Sequence, residues 1–107
     1  MLSIVSTPIW NLEDITLRAL RILKDADYIA CEDTRVTGQL LQHYQIENNG
    51  RLLSFHSHSG FSKLDKIIEL LKDGKHVALV SDAGTPWISD PGYVLIRTAI
   101  EEGIEVT

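Results

Sequence analysis

Apolar positions in this chain follow two alternating periods. Short apolar runs at residues 2–6, 28–31, 52–55 and 76–80 are bounded by polar or turn-forming residues and read as buried strands. Between them the apolar positions recur at helical spacing. Ile15, Leu17, Leu20, Ile22 and Leu23 supply a helix capped by Asn11 or Asp14 and running to about Lys24. A second helix covers residues 34–44, with Leu40 and Leu41 facing in and Asn49-Gly50 ending the connection. Leu64, Ile67, Ile68 and Leu71 define a third over residues 62–72, stopped by Asp73-Gly74. A fourth, amphipathic, spans residues 93–102 and stops at Gly103; residues 104–106 open a fifth strand.

Strands alternating with helices predict a parallel sheet with right-handed crossovers. The fold class is therefore α/β, a three-layer doubly wound parallel sheet of about five strands. A chain of 107 residues makes one such domain. It stops as the fifth strand begins, with no helix to cover it, which suggests a domain cut from a longer protein.

Composition narrows the picture. Hydrophobic residues make up 44% and charged residues 23%, as in ordinary water-soluble domains. There is no run of about 20 apolar residues to span a membrane, and the first residues do not read as a signal peptide. The lone Cys31 excludes an internal disulfide and fits a reducing cytoplasm. It reads as a small buried hydrophobe. The net charge of −5 excludes a broad basic face, so any contact with RNA must rest on a few local residues or on another domain.

The chemistry gathers after the strands. Thr7-Pro8-Ile9-Trp10-Asn11 follows the first, Glu32-Asp33-Thr34-Arg35 the second and His56-Ser57-His58 the third. The fourth leads into a long turn from Ser81 to Gly92, rich in small residues. In open α/β sheets, ligands bind at this carboxyl edge. Each residue also has a plainer use. Glu32 or Asp33 can cap the second helix, and Arg35 can pair with them at the surface. His56 and His58 share a face if the strand continues, but no third ligand lies near in sequence, so no metal site is expected. His43 and His76 read as ordinary helix-end and strand-start residues. No Gly-x-Gly-x-x-Gly, phosphate-binding lysine loop or Gly-x-Ser-x-Gly elbow is present.

Three blocks and a histidine pair then carry a resemblance. Thr7-Pro8-Ile9-x-Asn11-Leu12-Glu13-Asp14-Ile15-Thr16, Glu32-Asp33-Thr34-Arg35, His56-x-His58 and Ser81-Asp82-Ala83-Gly84-Thr85-Pro86-x-Ile88-Ser89-Asp90-Pro91-Gly92 occur together and in this order. The chain closely resembles the N-terminal domain of the ribosomal RNA small subunit methyltransferase I family, within the tetrapyrrole methylase superfamily. The resemblance implies a two-domain, homodimeric, cytoplasmic enzyme that uses S-adenosylmethionine to 2′-O-methylate a cytidine of 16S rRNA in the small ribosomal subunit. It implies that Pro8, Ile9, Asp82, Ala83 and Gly84 hold the cofactor. Glu32 to Arg35, His56 and His58 would face the substrate. Glu32, Asp33 and His56 are candidate bases for the ribose hydroxyl, in no fixed order, and Arg35 is a candidate phosphate contact beside His58.

The chain also departs from the family pattern. Trp10 and Trp87 stand where the family has glycine, in the two loops expected to hold the cofactor. Ser57 and Ser59 stand where it often has Glu and Asn. A large ring in place of glycine obstructs close approach, so the isolated domain is expected to have lost cofactor binding and activity. Two identical replacements in facing loops favour design over drift. The alternative reading is a non-catalytic α/β domain that self-associates through Trp10, Trp87 and its fifth-strand side. A third is a fragment of a tetrapyrrole methyltransferase, against which the second and last blocks speak.

Overall fold

Four strands, β1 (Leu2–Thr7), β2 (Tyr28–Cys31), β3 (Leu52–Ser54) and β4 (Val77–Asp82), pair in parallel in the order β1-β4-β2-β3. The helices are α1 (Leu17–Asp25), α2 (Thr34–His43), α3 (Gly60–Lys72) and α4 (Asp90–Glu101). The computed structural model describes residues 1–8, 11–56, 60–82 and 90–107. The expected α/β class and three-layer arrangement are observed.

The two faces of the sheet are filled by alternate strand positions, as a strand's period of two requires. Ala30, Val77 and Leu79 pack against Leu64, Ile67 and Leu71 of α3 and Leu95 and Ala99 of α4. Val5, Ile29 and Ala78 pack on the other face against Ala19, Ile22 and Leu23 of α1 and Leu40 and Leu41 of α2. Apolar residues thus point both ways from the central strands β4 and β2, which is why they read as continuous apolar runs. Each fully buried Leu or Ile contributes about 1.5–3 kcal/mol.

The fifth strand is shorter than expected. Val106 forms a single parallel bridge to Leu2. It is supported by Leu2 N–H donating to the Glu105 carbonyl at 2.8 Å and Thr107 N–H donating to the Leu2 carbonyl at 2.9 Å.

The first helix starts later than its cap signals suggested. Asn11 caps a short 3-10 turn, Leu12–Asp14, accepting from Glu13 N–H at 3.0 Å. Ile15 is then extended, which ends that turn, and Thr16 caps α1 by accepting from Ala19 N–H at 3.0 Å. Leu17, expected on the apolar face, is 83% exposed, because α1's buried side is Ala19, Ile22 and Leu23.

Three helices end in the same way. Gly74 after α3 and Gly103 after α4 adopt φ of 85° and 75°. Their N–H groups reach the Leu71 and Ile100 carbonyls, and the next residues, Lys75 and Ile104, reach those of Leu70 and Ala99. This is the Schellman pattern, which the left-handed conformation of glycine favours. After α2 the left-handed position is filled by Gln45 (φ 56°), with Ile46 N–H bonded to the Leu41 carbonyl at 2.8 Å. The end of α1 is held differently. Arg51 Nη1 donates to the Leu23 and Ala26 carbonyls, both at 2.8 Å, while its other nitrogens bond the Glu47 and Asn48 carbonyls.

Candidate functional site

Parallel pairing brings all four strand ends to one edge. Register sets Thr7 beside Asp82, so β1 and β4 finish level. Cys31 is paired with Ser54, so β2 and β3 also finish level. The buried Thr7 hydroxyl donates to the Ser81 carbonyl at 3.4 Å, tying the first two ends together. α1 and α4, which follow β1 and β4, lie on opposite faces of the sheet. The chain thus parts to either side of the β1–β4 junction, the arrangement that opens a ligand crevice in doubly wound folds.

The expected site residues distribute as follows. Pro8 is half-buried directly after β1, and the backbone of Asp82 closes β4. Glu32 is exposed just beyond β2. Asp33 is the N-cap of α2, accepting from Arg35 N–H at 3.0 Å. Arg35, 88% exposed at its side chain, also pairs with Asp33 at 3.4 Å. The Arg35 side chain and backbone N–H hold the Asp33 carboxyl below the usual carboxylate range. His56 is half-buried just past β3. Ile9, His58, Ala83 and Gly84 lie outside the described residues, as do Trp10 and Trp87. The edge therefore collects Pro8, Glu32, Asp33, Arg35, His56 and the end of β4.

Other candidates take structural places. Cys31 is buried, which pushes its thiol's pKa up, and its Sγ lies 3.8 Å from the Leu53 carbonyl. His43 ends α2 with its ring edge-on to Tyr44. His76 immediately precedes β4, its Nε2 2.8 Å from Ser3 Oγ. Among the described residues no group of three or more His, Cys, Asp or Glu side chains is placed to hold a metal. No described helix is long and apolar enough to cross a membrane.

One feature of the edge was not expected. A cavity of about 340 Å³ opens where β3 ends, lined by Phe55, His56, Phe61, Leu64, Pro91 and Val94. Phe61 is 82% exposed at its mouth. The sequence carries the signal: Phe61 lies three residues before Leu64 and seven before Ile68. It extends the apolar stripe of α3 by one turn, past the end of the sheet that buries the rest.

These features define a class, a doubly wound α/β domain whose candidate site lies along the carboxyl edge of a parallel sheet. Solved structures share the fold: diphthine synthase (TM-score 0.73, 17% identity, 98% of this chain and 41% of that one) and uroporphyrin-III-C-methyltransferase from Thermus thermophilus (0.72, 18%, 98% and 44%). Matched along residues 1–107, the chain belongs to the tetrapyrrole (corrin/porphyrin) methylase family. It is 58% identical over 103 residues to a protein of Mycoplasmopsis pulmonis named ribosomal RNA small subunit methyltransferase I, covering 96% of this chain and 46% of that protein. The protein of the same name from Escherichia coli O157:H7 is 55% identical over 105 residues, with 98% and 36% covered. The chain thus spans less than half the length of these relatives.

Proposed function

We propose that this chain is the N-terminal, cofactor-binding domain of a two-domain S-adenosylmethionine-dependent methyltransferase that acts on the 2′-hydroxyl of a cytidine in 16S rRNA. The observation that carries the reading is the level ending of β1 and β4 at Thr7 and Asp82, at the crevice between helices on opposite faces. That geometry fits a small, flexible cofactor: half-buried Pro8 offers an apolar wall and the end of β4 offers backbone groups. Pro8, Ile9, Asp82, Ala83 and Gly84 would hold it. When bound, S-adenosylmethionine supplies an electrophilic methyl group. The names of the relatives favour RNA over a tetrapyrrole as acceptor.

The chain's own residues then have separable tasks. A ribose hydroxyl needs a base within reach to become a useful nucleophile, and orientation supplies much of the remaining acceleration. Asp33 is already engaged by Arg35 and its carboxyl is held low, so it is the weakest base of the three candidates. Glu32 and His56 remain as the candidates. Asp33 fixes the start of α2 and with it Arg35, which would hold an RNA phosphate alongside His58. The working protein would act in the cytoplasm, as a homo-oligomer, on rRNA of the small ribosomal subunit.

Trp10 and Trp87 are proposed to disable cofactor binding in this chain. Titration calorimetry with S-adenosylmethionine is expected to show no binding here and binding by the Trp10→Gly/Trp87→Gly variant. Equal affinity of the two would remove the tryptophans from the account. A second reading, self-association without catalysis, is favoured by the exposure of Leu17, Val36, Phe61, Tyr93 and Val94, all near the starts of helices on this edge. Sedimentation of the same pair separates it, since that reading expects a smaller species after reversion.

A further inference from the structure

We infer that the cavity beside Phe61 receives a nucleobase of single-stranded RNA, with the Phe61 ring as its stacking platform. This rests on the RNA-methylating reading above and names the contact it lacks. An exposed phenylalanine whose neighbours in the same stripe, Leu64 and Ile68, are buried has an unused flat apolar face. Beside it the cavity of about 340 Å³ falls within the range of small-ligand pockets, and its walls are apolar apart from His56. Proteins that read single-stranded RNA splay bases out and stack them on such rings.

Charge fits the same occupant. The first turn of α3 has no acidic residue and contains Lys63, so the positive end of that helix lies uncompensated by its own acids at the mouth of the cavity. In a chain of net charge −5, this is a local site where a phosphodiester is tolerated next to an apolar surface. The cavity also borders His56, so a base seated in it brings its ribose to the edge where the candidate bases lie.

The test is fluorescence anisotropy of a labelled single-stranded oligoribonucleotide at low salt, with circular dichroism to confirm folding. Phe61→Ala is expected to weaken binding about tenfold, and Phe61→Trp to retain it. Abasic substitutions along the oligonucleotide should weaken binding to the parent chain and leave Phe61→Ala unaffected. Undiminished affinity of Phe61→Ala, or equal sensitivity of both proteins to abasic substitution, overturns the inference and leaves the RNA reading standing. Failure of the parent chain to bind any RNA overturns the inference alone, because RNA contact in the two-domain protein can rest on its other domain. Loss of a dimer on Phe61→Ala, with RNA affinity unchanged, assigns the surface to a second copy instead.

Discussion

At the amino edge of the sheet, polar groups are spent on holding the chain together. Arg51 donates to four carbonyls, at Leu23, Ala26, Glu47 and Asn48. Ser3, buried within β1, bonds His76 and Thr107, and Asp27 accepts from His76 N–H at 2.8 Å. At the carboxyl edge the described polar residues are more exposed and more locally paired. Glu32 faces solvent, Arg35 pairs only two residues back with Asp33, and Phe61, Tyr93 and Val94 stand in the open. One edge spends its polar groups on stability, the other leaves surface exposed. The same division holds in other folds whose sites sit at the carboxyl ends of parallel strands.

The largest expected effect tests that division directly. Arg51→Ala strips charged donors from the end of α1 and from the loop before β3, and is expected to cost about 2–3 kcal/mol. Urea denaturation should show it as a lowered midpoint, and thermal melting as a fall of roughly 4–8 °C per kcal/mol. Arg35→Ala at the other edge, which removes one exposed pair, should cost less than about 0.5 kcal/mol. Equal costs at the two arginines would end the contrast.

Backbone strain gives the next step down. Gly103→Ala places a side chain at φ 75°, where its Cβ would meet nothing within 4 Å, so the cost is conformational only, about 1 kcal/mol. Gln45 already occupies such a position at φ 56°. Gln45→Gly is expected to gain about 0.5 kcal/mol, the relief being partly offset by a more flexible unfolded chain.

These positions also show what a sequence reader can and cannot see. The alternation of Ile29 with Ala30 and the spacing of Leu64, Ile67, Ile68 and Leu71 are local patterns, and they located the strands, helices and layers. The strand order was not legible, because placing β4 between β1 and β2 is a choice among long-range pairings. The start of α1 was misplaced because Asn11, Asp14 and Thr16 all have capping side chains, and the extended backbone at Ile15 decides among them. Arg51 carries no periodic signal at all. Its importance comes from carbonyls at Leu23 and Ala26, far away in sequence. At the site, the strand-end residues could be listed in advance because topology brings them to one edge. The cavity could not, since it needs Phe55 just past β3, Leu64 of α3 and Val94 of α4.

Asp33 lets cap and chemistry be separated at the carboxyl edge. Asp33→Ala removes the acceptor for Arg35 N–H and should lower the denaturant midpoint. Asp33→Asn keeps a capping oxygen and should be nearly neutral. If the proposed two-domain enzyme carrying Asp33→Asn keeps its fold and its rate of methylation, the residue is a cap that positions Arg35. A stable but inactive Asp33→Asn enzyme would restore it as the base.

The smallest effect lies back at the amino edge and depends on pH. Burial, followed by the nearby N-terminal ammonium, lowers the pKa of His76, against a weaker pull upward from Asp27 and Asp25. A histidine depressed in the folded state binds its proton more readily when unfolded. Its stabilising contribution is therefore present above the ordinary histidine value of about 6.5 and is lost as pH falls toward the depressed one. Stability should thus decline with acidification through that window, and His76→Gln should flatten that part of the profile by removing the group that titrates. Denaturant midpoints measured for both proteins between about pH 7 and 5 check it. If the parent chain instead grew more stable on acidification there, the Ser3–His76 pair would favour the protonated ring, and the amino edge would hold a charge rather than a neutral hydrogen bond.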